Sequence, residues 1–284
     1  MIPAEFDYVA PTTLDDAVRA LADAGEDAKI IAGGQSLLPV LRMRLATPPK
    51  LVDLARVAEL HGIREDGDRI VIGAMTTHYE LQRDPLVADH LALLRLATDT
   101  VADPQVRHRG TLGGALAHAD PAGDLAAPAL ALDAEFTVCG MDGKRTIPAS
   151  DFFVDYFTTA LRPDEIISEI RFPKHTNCHA HYEKFTRVAQ AWSIVAVGAC
   201  LQVTDGTITD ARIALTNMAP VPLRATTVEA ALVGNPITPE TLRTAAAHAA
   251  DHTTPTTDSN ADRDYRHHLA RVLTTRALTA AAGA

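Results

Sequence analysis

Two glycine pairs carry the strongest chemical suggestion in this chain, in the segments Ala32-Gly33-Gly34-Gln35-Ser36 and Thr111-Leu112-Gly113-Gly114-Ala115. A residue without Cβ lets successive backbone N–H groups converge on one anion, and a side chain at either pair would block that approach. Together the segments read as a clamp for a pyrophosphate, and so as part of a dinucleotide site. Taken singly, each pair reads as a tight turn, because Gly-Gly is an ordinary turn signal. The neighbours of the first pair shift that reading. The β-branched run Lys29-Ile30-Ile31 precedes it and the helix-like Ser36-Leu37-Leu38 follows, which puts its amides where a helix begins and negative charge is favoured. The second carries the hydroxyl of Thr111 and is trailed by Asp120-Pro121 and Asp124, acids within reach of ribose hydroxyls. Neither has the Gly-x-Gly-x-x-Gly spacing of a Rossmann fingerprint, which disfavours a nicotinamide fold.

Other constellations carry less. His175, Cys178, His179 and His181 are metal-ligand types in one stretch, but they lie beside Pro173 and Asn177 with no distant partner motif and read as a polar linker. No metal site is assigned. Gly34-Gln35-Ser36-Leu37-Leu38 lacks the second glycine of a nucleophile elbow, which disfavours a hydrolase. Trp192, next to Ile194 and Val195, reads as core. Cys139, Cys178 and Cys200 are too few and too scattered for a Cys-x-x-Cys metal site or an iron–sulfur cluster, and their odd number suits a reducing compartment.

The elements that must position these residues follow from pattern. The 284 residues, 47% of them hydrophobic, are enough to bury a core and to split into two domains. A net charge of −10 with no basic stripe argues against a nucleic-acid partner. No apolar run reaches the ~18 residues of a membrane helix, and the start Met1-Ile2-Pro3-Ala4-Glu5-Phe6 lacks a signal sequence. The expected location is cytoplasmic, with peripheral membrane contact left open. Leu14, Ala17, Val18 and Leu21, with Thr13 and Asp16 at capping-box spacing and Gly25 beyond, predict a helix over 14–24. Short strands are predicted at 29–31, 51–54 and 69–73. Thr77 and Glu80 again show capping-box spacing, and Leu91, Leu94, Thr98 and Val101 predict an amphipathic helix. Gly140-Met141-Asp142-Gly143 predicts a hairpin. The turn formers at 173–177 mark the boundary between domains over 1–174 and 175–284. The second domain is predicted to hold strands at 193–203 and 207–215, then helices, one presenting Tyr265, Leu269, Val272 and Leu273, before an alanine-rich tail expected to fray from Arg276.

At Ala32-Gly33-Gly34-Gln35-Ser36, Asp103-Pro104-Gln105-Val106-Arg107, Arg109-Gly110-Thr111-Leu112-Gly113-Gly114 and Ala214-Leu215-Thr216-Asn217-Met218-Ala219-Pro220, the chain resembles the FAD-binding medium subunits of the molybdenum hydroxylases, the xanthine dehydrogenase family. The resemblance covers nearly the whole length. Within that family, the first loop and His118-Ala119-Asp120-Pro121 look closest to the medium subunits of aerobic carbon monoxide dehydrogenases.

The resemblance implies an α+β chain: a two-lobed FAD-binding domain of the PCMH type, then a smaller α+β domain of the carbon monoxide dehydrogenase flavoprotein type with an antiparallel sheet and helices. It implies non-covalent FAD in a cleft between the two lobes and the second domain. Lys29, Ile30, Ile31, Ala32, Gly33, Gly34, Gln35 and Ser36 would form the first loop, and Thr111, Leu112, Gly113, Gly114 and Ala115 the second, both on the pyrophosphate. Asp124 would lie near the adenosine half, and Leu161 and Lys184 near the flavin, where a cation favours the anionic reduced ring. Lys184 also reads as a solvated strand-edge lysine. Ala115 stands where the family usually has Asn or Asp, and Gln35 where relatives often have the histidine type able to bond flavin covalently.

The activity implied is electron transfer, from [2Fe-2S] clusters in a small partner subunit through FAD to an external acceptor, with substrate oxidised in a large molybdopterin subunit. The implied assembly is a dimer of heterotrimers, and no catalytic residue is assigned to this chain. The alternatives are a medium subunit for an aldehyde, purine or N-heterocycle hydroxylase, a self-contained FAD oxidoreductase, and a scaffold with vestigial loops.

Overall fold

The computed structural model describes residues 2–283. It begins with strands β1 (Asp7–Val9), β2 (Lys29–Ile31) and β3 (Lys50–Asp53), arranged in the order β1-β3-β2 with all pairs parallel. Helix α1 (Leu14–Ala24) joins the first two. Thr13 Oγ1 accepts from Asp16 N–H at its start, and Gly25 ends it with φ 81°, a left-handed value that glycine tolerates. Its buried face, Leu14, Ala17, Val18 and Leu21, packs with Val52, Leu54 and Val57. After β2 the chain turns through the first glycine pair into the short helix α2 (Leu37–Arg42).

A second lobe follows. Strands β4 (Ile63–Asp66) and β5 (Arg69–Gly73) lead into six short helices, α3 (His78–Arg83), α4 (Pro85–His90), α5 (Ala92–Asp99), α6 (Pro104–Arg107), α7 (Leu112–His118) and α8 (Ala126–Ala131). The chain returns in the hairpin β6 (Glu135–Gly140) and β7 (Gly143–Pro148), then α9 (Ala149–Phe152), a small hairpin of β8 (Phe153–Asp155) and β9 (Thr158–Thr159), and β10 (Ile166–Pro173). The sheet order is β4-β5-β10-β6-β7, antiparallel throughout. Thr77 and Glu80 form a complete capping box at α3. The helix expected around 91–101 is α5, which begins after Leu91 and stops before Val101, with Leu93, Leu94, Ala97 and Thr98 buried.

The third layer is the sheet β11 (His179–Phe185), β12 (Val195–Thr204), β13 (Thr207–Thr216) and β14 (Leu223–Arg224), antiparallel and in chain order, backed by α10 (Thr226–Leu232), α11 (Pro239–Ala246) and α12 (Arg263–Ala281). One face of this sheet joins the core of the second lobe through Tyr182, Ala196, Cys200 and Ala214, and the other packs on α10, α11 and α12. The arrangement is α+β, as the sequence implies.

Several expectations fail here. The tail does not fray at Arg276: Ala277, Leu278 and Ala281 are buried, so α12 runs on because its last turns are core. Tyr265 is 42% exposed; Arg266 takes the inner position one residue on, donating to Asp258 and to the Ile194 carbonyl. The polar linker at 175–181 is a turn only as far as Cys178, and from His179 on it is strand β11. His175 points to the Leu132 carbonyl and His181 to Glu183. Cys178, the residue before β11, and Cys200 on β12 are joined as a disulfide with Cα atoms 5.8 Å apart, departing from the reading of reduced cysteines.

Candidate functional site

The two glycine segments meet. A Cβ on Gly33 would run into the Arg109 carbonyl oxygen and stand 2.7 Å from Gly110 Cα, and one on Gly114 would stand 3.2 Å from Ala32 Cβ. Only bare backbone permits this approach. Between them opens a cleft of about 640 Å³, walled by all three layers, a volume in the range of small-molecule and cofactor sites.

The segments play different parts. In the first, among the described residues, the N–H groups of Gly33, Gly34, Gln35 and Ser36 donate to no protein acceptor, while Gln35 Nε2 turns back to the Gly33 carbonyl at 3.0 Å. Gly34 sits at φ 74° to make the bend. These amides fit an anion. The second segment is the first turn of α7, and its amides from Leu112 to Ala115 are already taken. Leu112 N–H donates to the Thr76 carbonyl, Gly113 to that of Ala74, Gly114 to Thr111 Oγ1 and Ala115 to the Thr111 carbonyl, all at 2.8–3.1 Å. The expectation that both glycine pairs grip a phosphate by their amides is therefore corrected: the Gly113-Gly114 pair supplies a wall without side chains, and the run of open donors is in the first segment. Thr111 holds that wall as the N-cap of α7. Thr111→Val is expected to cost about 1 kcal/mol and lower the melting temperature by a few degrees, with Thr111→Ser close to wild type in thermal denaturation.

The third layer contributes a buried ion pair. Side chains on a strand alternate faces, so Tyr182 and Lys184 of β11 point the same way, toward Asp124 in the loop before α8. Lys184 Nζ donates to Asp124 Oδ2 at 2.7 Å and to the Thr100 carbonyl at 3.2 Å, while Tyr182 OH and Ser193 Oγ donate to Asp124 Oδ1 at 3.1 and 2.8 Å. Both charged side chains are under a tenth exposed. Burial pushes the Asp124 carboxyl up from its usual range, opposed chiefly by the Lys184 charge, and burial drives the Tyr182 hydroxyl well above its ordinary value. Asn217, at φ 63°, ties this region together: its side-chain amide donates to the Ser193 and Ile194 carbonyls, and its N–H to the Pro121 carbonyl at 2.9 Å.

Leu161 reaches the cleft on a strapped turn. Arg145 grips Glu165 with two bonds of 2.7 Å and the Ala160 carbonyl with a third, and Glu165 accepts from Arg162 N–H. Salt bridging holds the Glu165 carboxyl below its usual range.

Of the residues singled out in sequence, Lys29, Ile30, Ala32, Gly33, Gly34, Gln35, Ser36, Thr111, Gly113, Gly114, Ala115, Asp124, Leu161 and Lys184 line the cleft. Ile31 and Leu112 do not. Leu112 is fully buried in the second lobe, because it is the core-facing residue of the first turn of α7, and Ile31 packs beneath Gly34. Lys184 is no solvated edge lysine. Trp192, read as core, is 54% exposed on the cleft. His78 was missed: it lies in the cleft wall, 4% exposed, with Nδ1 lacking any partner among the described residues. Burial, helped by the nearby Arg107 charge, lowers its pKa to about 4, so the ring is neutral.

An open anion-binding bend, a bare glycine wall and a cleft of this volume fit a dinucleotide. Comparison with known proteins agrees. The chain is 41% identical over 282 residues to the carbon monoxide dehydrogenase medium chain of Hydrogenophaga pseudoflava, covering 99% of this chain and 98% of that one. It is 38% identical over 274 residues to the nicotine 6-hydroxylase medium subunit of Paenarthrobacter nicotinovorans, covering 96% of each. A solved structure of carbon monoxide dehydrogenase from Hydrogenophaga pseudoflava superposes with a TM-score of 0.96 at 43% identity, over 99% of this chain and 98% of that one. The family described as the FAD binding domain in molybdopterin dehydrogenase matches residues 4–175, and the CO dehydrogenase flavoprotein C-terminal domain matches residues 180–281. The chain belongs to the family of FAD-binding flavoprotein subunits of the molybdopterin dehydrogenases.

Proposed function

We propose that this chain is the electron-transfer subunit of a carbon monoxide-oxidising molybdenum hydroxylase, carrying non-covalent FAD between the iron–sulfur clusters of a small partner and an external acceptor, with carbon monoxide oxidised in a large molybdopterin partner. The observation that supports it is the set of open amides at Gly33–Ser36 facing the side-chain-free wall of α7 in one cleft. Bound FAD supplies the coupling of one-electron delivery to two-electron delivery.

The chain's own residues bind and orient. The first bend neutralises the diphosphate through backbone N–H groups. Asp120 and Asp124 lie in the wall beyond the glycine pairs, but Asp124 already accepts three side-chain hydrogen bonds, so its role is to hold Lys184. Two hydrogens of the Lys184 ammonium are taken by Asp124 and Thr100, leaving one for the cofactor. Because Asp124 balances its charge, the lysine acts on the flavin as one end of a dipole, weaker than a lone cation. Gln35 cannot form a covalent link to the ring. Two heterotrimers paired in one complex, and a cytoplasmic setting that meets a membrane only through the acceptor, belong to the same proposal; no helix among the described residues is long and apolar enough to cross a membrane.

Trp192, the one tryptophan of the chain, stands in the cleft and reports on binding. Adding FAD to the cofactor-free chain is expected to quench its fluorescence saturably, and acid denaturation to release all the yellow chromophore. The isolated holo-chain is expected to stay oxidised with carbon monoxide and become reduced only when the molybdenum and iron–sulfur chains are present. Failure to bind FAD removes the cofactor assignment. Direct reduction of the isolated chain by a small substrate favours a self-contained oxidoreductase.

A further inference from the structure

We infer that His78 is a cofactor-binding residue, donating a hydrogen bond from Nε2 to the phosphate-bearing middle of the flavin nucleotide. The inference rests on the FAD reading above. Its N–H donates to the Gly110 carbonyl at 2.9 Å, and the Cδ2–Nε2 edge of the ring fills the place a Gly110 Cβ would take, 2.8 and 2.9 Å from it. The Cα of Gly110 in turn abuts Gly33, so the imidazole lies one residue from the open amides of the first bend. Neither ring nitrogen has a protein partner among the described residues, and Nε2 is the one that keeps surface on the cleft.

A polar side chain only 4% exposed and left unpartnered is costly unless something absent from the free chain completes it. The neutral ring carries one N–H. On Nδ1 that hydrogen would be sealed away without an acceptor; on Nε2 it faces the cleft, leaving Nδ1 with a lone pair, the cheaper orphan. An acceptor-rich group beside Gly33 and Gly110 is what such a donor requires, and the diphosphate oxygens of FAD are of that kind. Because the ring of the free chain stays uncharged down to about pH 4, it can sit beside Arg107 without repulsion.

The test is a titration of the full-length, cofactor-free chain with FAD and, separately, with riboflavin, which has no phosphate, following Trp192 fluorescence. His78→Phe is expected to weaken FAD about tenfold while leaving riboflavin unchanged, and His78→Gln, which retains a donor near the Nε2 position, to stay within about threefold of wild type. Equal loss of both ligands in His78→Phe marks a packing role and overturns the inference, as does FAD affinity equal to wild type. Should His78→Phe not fold, the ring ¹⁵N resonance that is missing from His78→Gln must shift when FAD is added to wild type, and no shift also overturns it. A wild-type chain that binds no FAD instead overturns the cofactor reading itself.

Discussion

Lys184→Met is expected to destabilise the chain by about 3–5 kcal/mol, a fall of roughly 10 °C in melting temperature. The cause is what stays behind. Asp124 is 4% exposed, and without Lys184 its carboxylate keeps only the neutral donors Tyr182 and Ser193. An uncompensated buried charge costs more than the pair contributes, so adding Asp124→Leu to Lys184→Met should return part of the loss. The pH dependence fixes the sign. In the single variant the Asp124 carboxyl, already raised above 3.8 by burial, loses its opposing cation and rises further. The folded state then holds a proton that the unfolded chain has released. Stability is therefore fullest below the unfolded pKa and lost as pH rises through the folded one, so the gap to wild type widens from pH 5 to pH 8. Melting curves across that window check it; a gap independent of pH contradicts it.

Gly33→Ala is expected to abolish measurable FAD binding, weakening it on the order of a hundredfold, and to cost about 1–3 kcal/mol of stability through overpacking. Its new methyl meets the Arg109 carbonyl oxygen and Gly110 Cα, which are backbone and have no rotamer to move aside. The bend must retreat, and the open amides retreat with it. Gly113→Ala is the comparison: its methyl would stand 2.7 Å from the Ala74 carbonyl oxygen, on the side of α7 facing β5, so it should cost similar stability and much less affinity. Thermal denaturation with FAD titration separates the two. Equal affinity loss in both variants contradicts the division of labour between the segments.

Much of the architecture was legible because it rests on local chemistry. The Thr13 and Thr77 caps, the 3.6-residue spacing of Leu14, Ala17, Val18 and Leu21, and the Gly140–Gly143 turn need nothing beyond their own neighbourhood. The first glycine bend was legible for the same reason. The function of the second was not, since whether Gly113 N–H is open depends on Ala74, at the far end of another strand. Strand β11 was hidden by its composition: His179, His181 and Lys184 leave no apolar alternation, and its buried members, Tyr182 and the Lys184 side chain, are satisfied by Asp124, about sixty residues upstream. Trp192 broke the pattern of the apolar run it precedes because a residue entering a strand has not yet joined its alternation. His78, at the first position of a capped helix, reads as polar surface until Gly110 is seen packed against it.

The tetrad of Asp124, Tyr182, Lys184 and Ser193 also governs how these proteins can be recombined. One member comes from the segment matched by the FAD-binding family and three from the segment matched by the flavoprotein C-terminal family. A chimaera spliced between relatives near residue 177 would inherit a carboxylate from one parent and its counter-ion from another. Hybrid medium subunits should fold only where both parents place the same charges at these four positions, so compatible splice partners can be chosen by inspecting four letters of sequence.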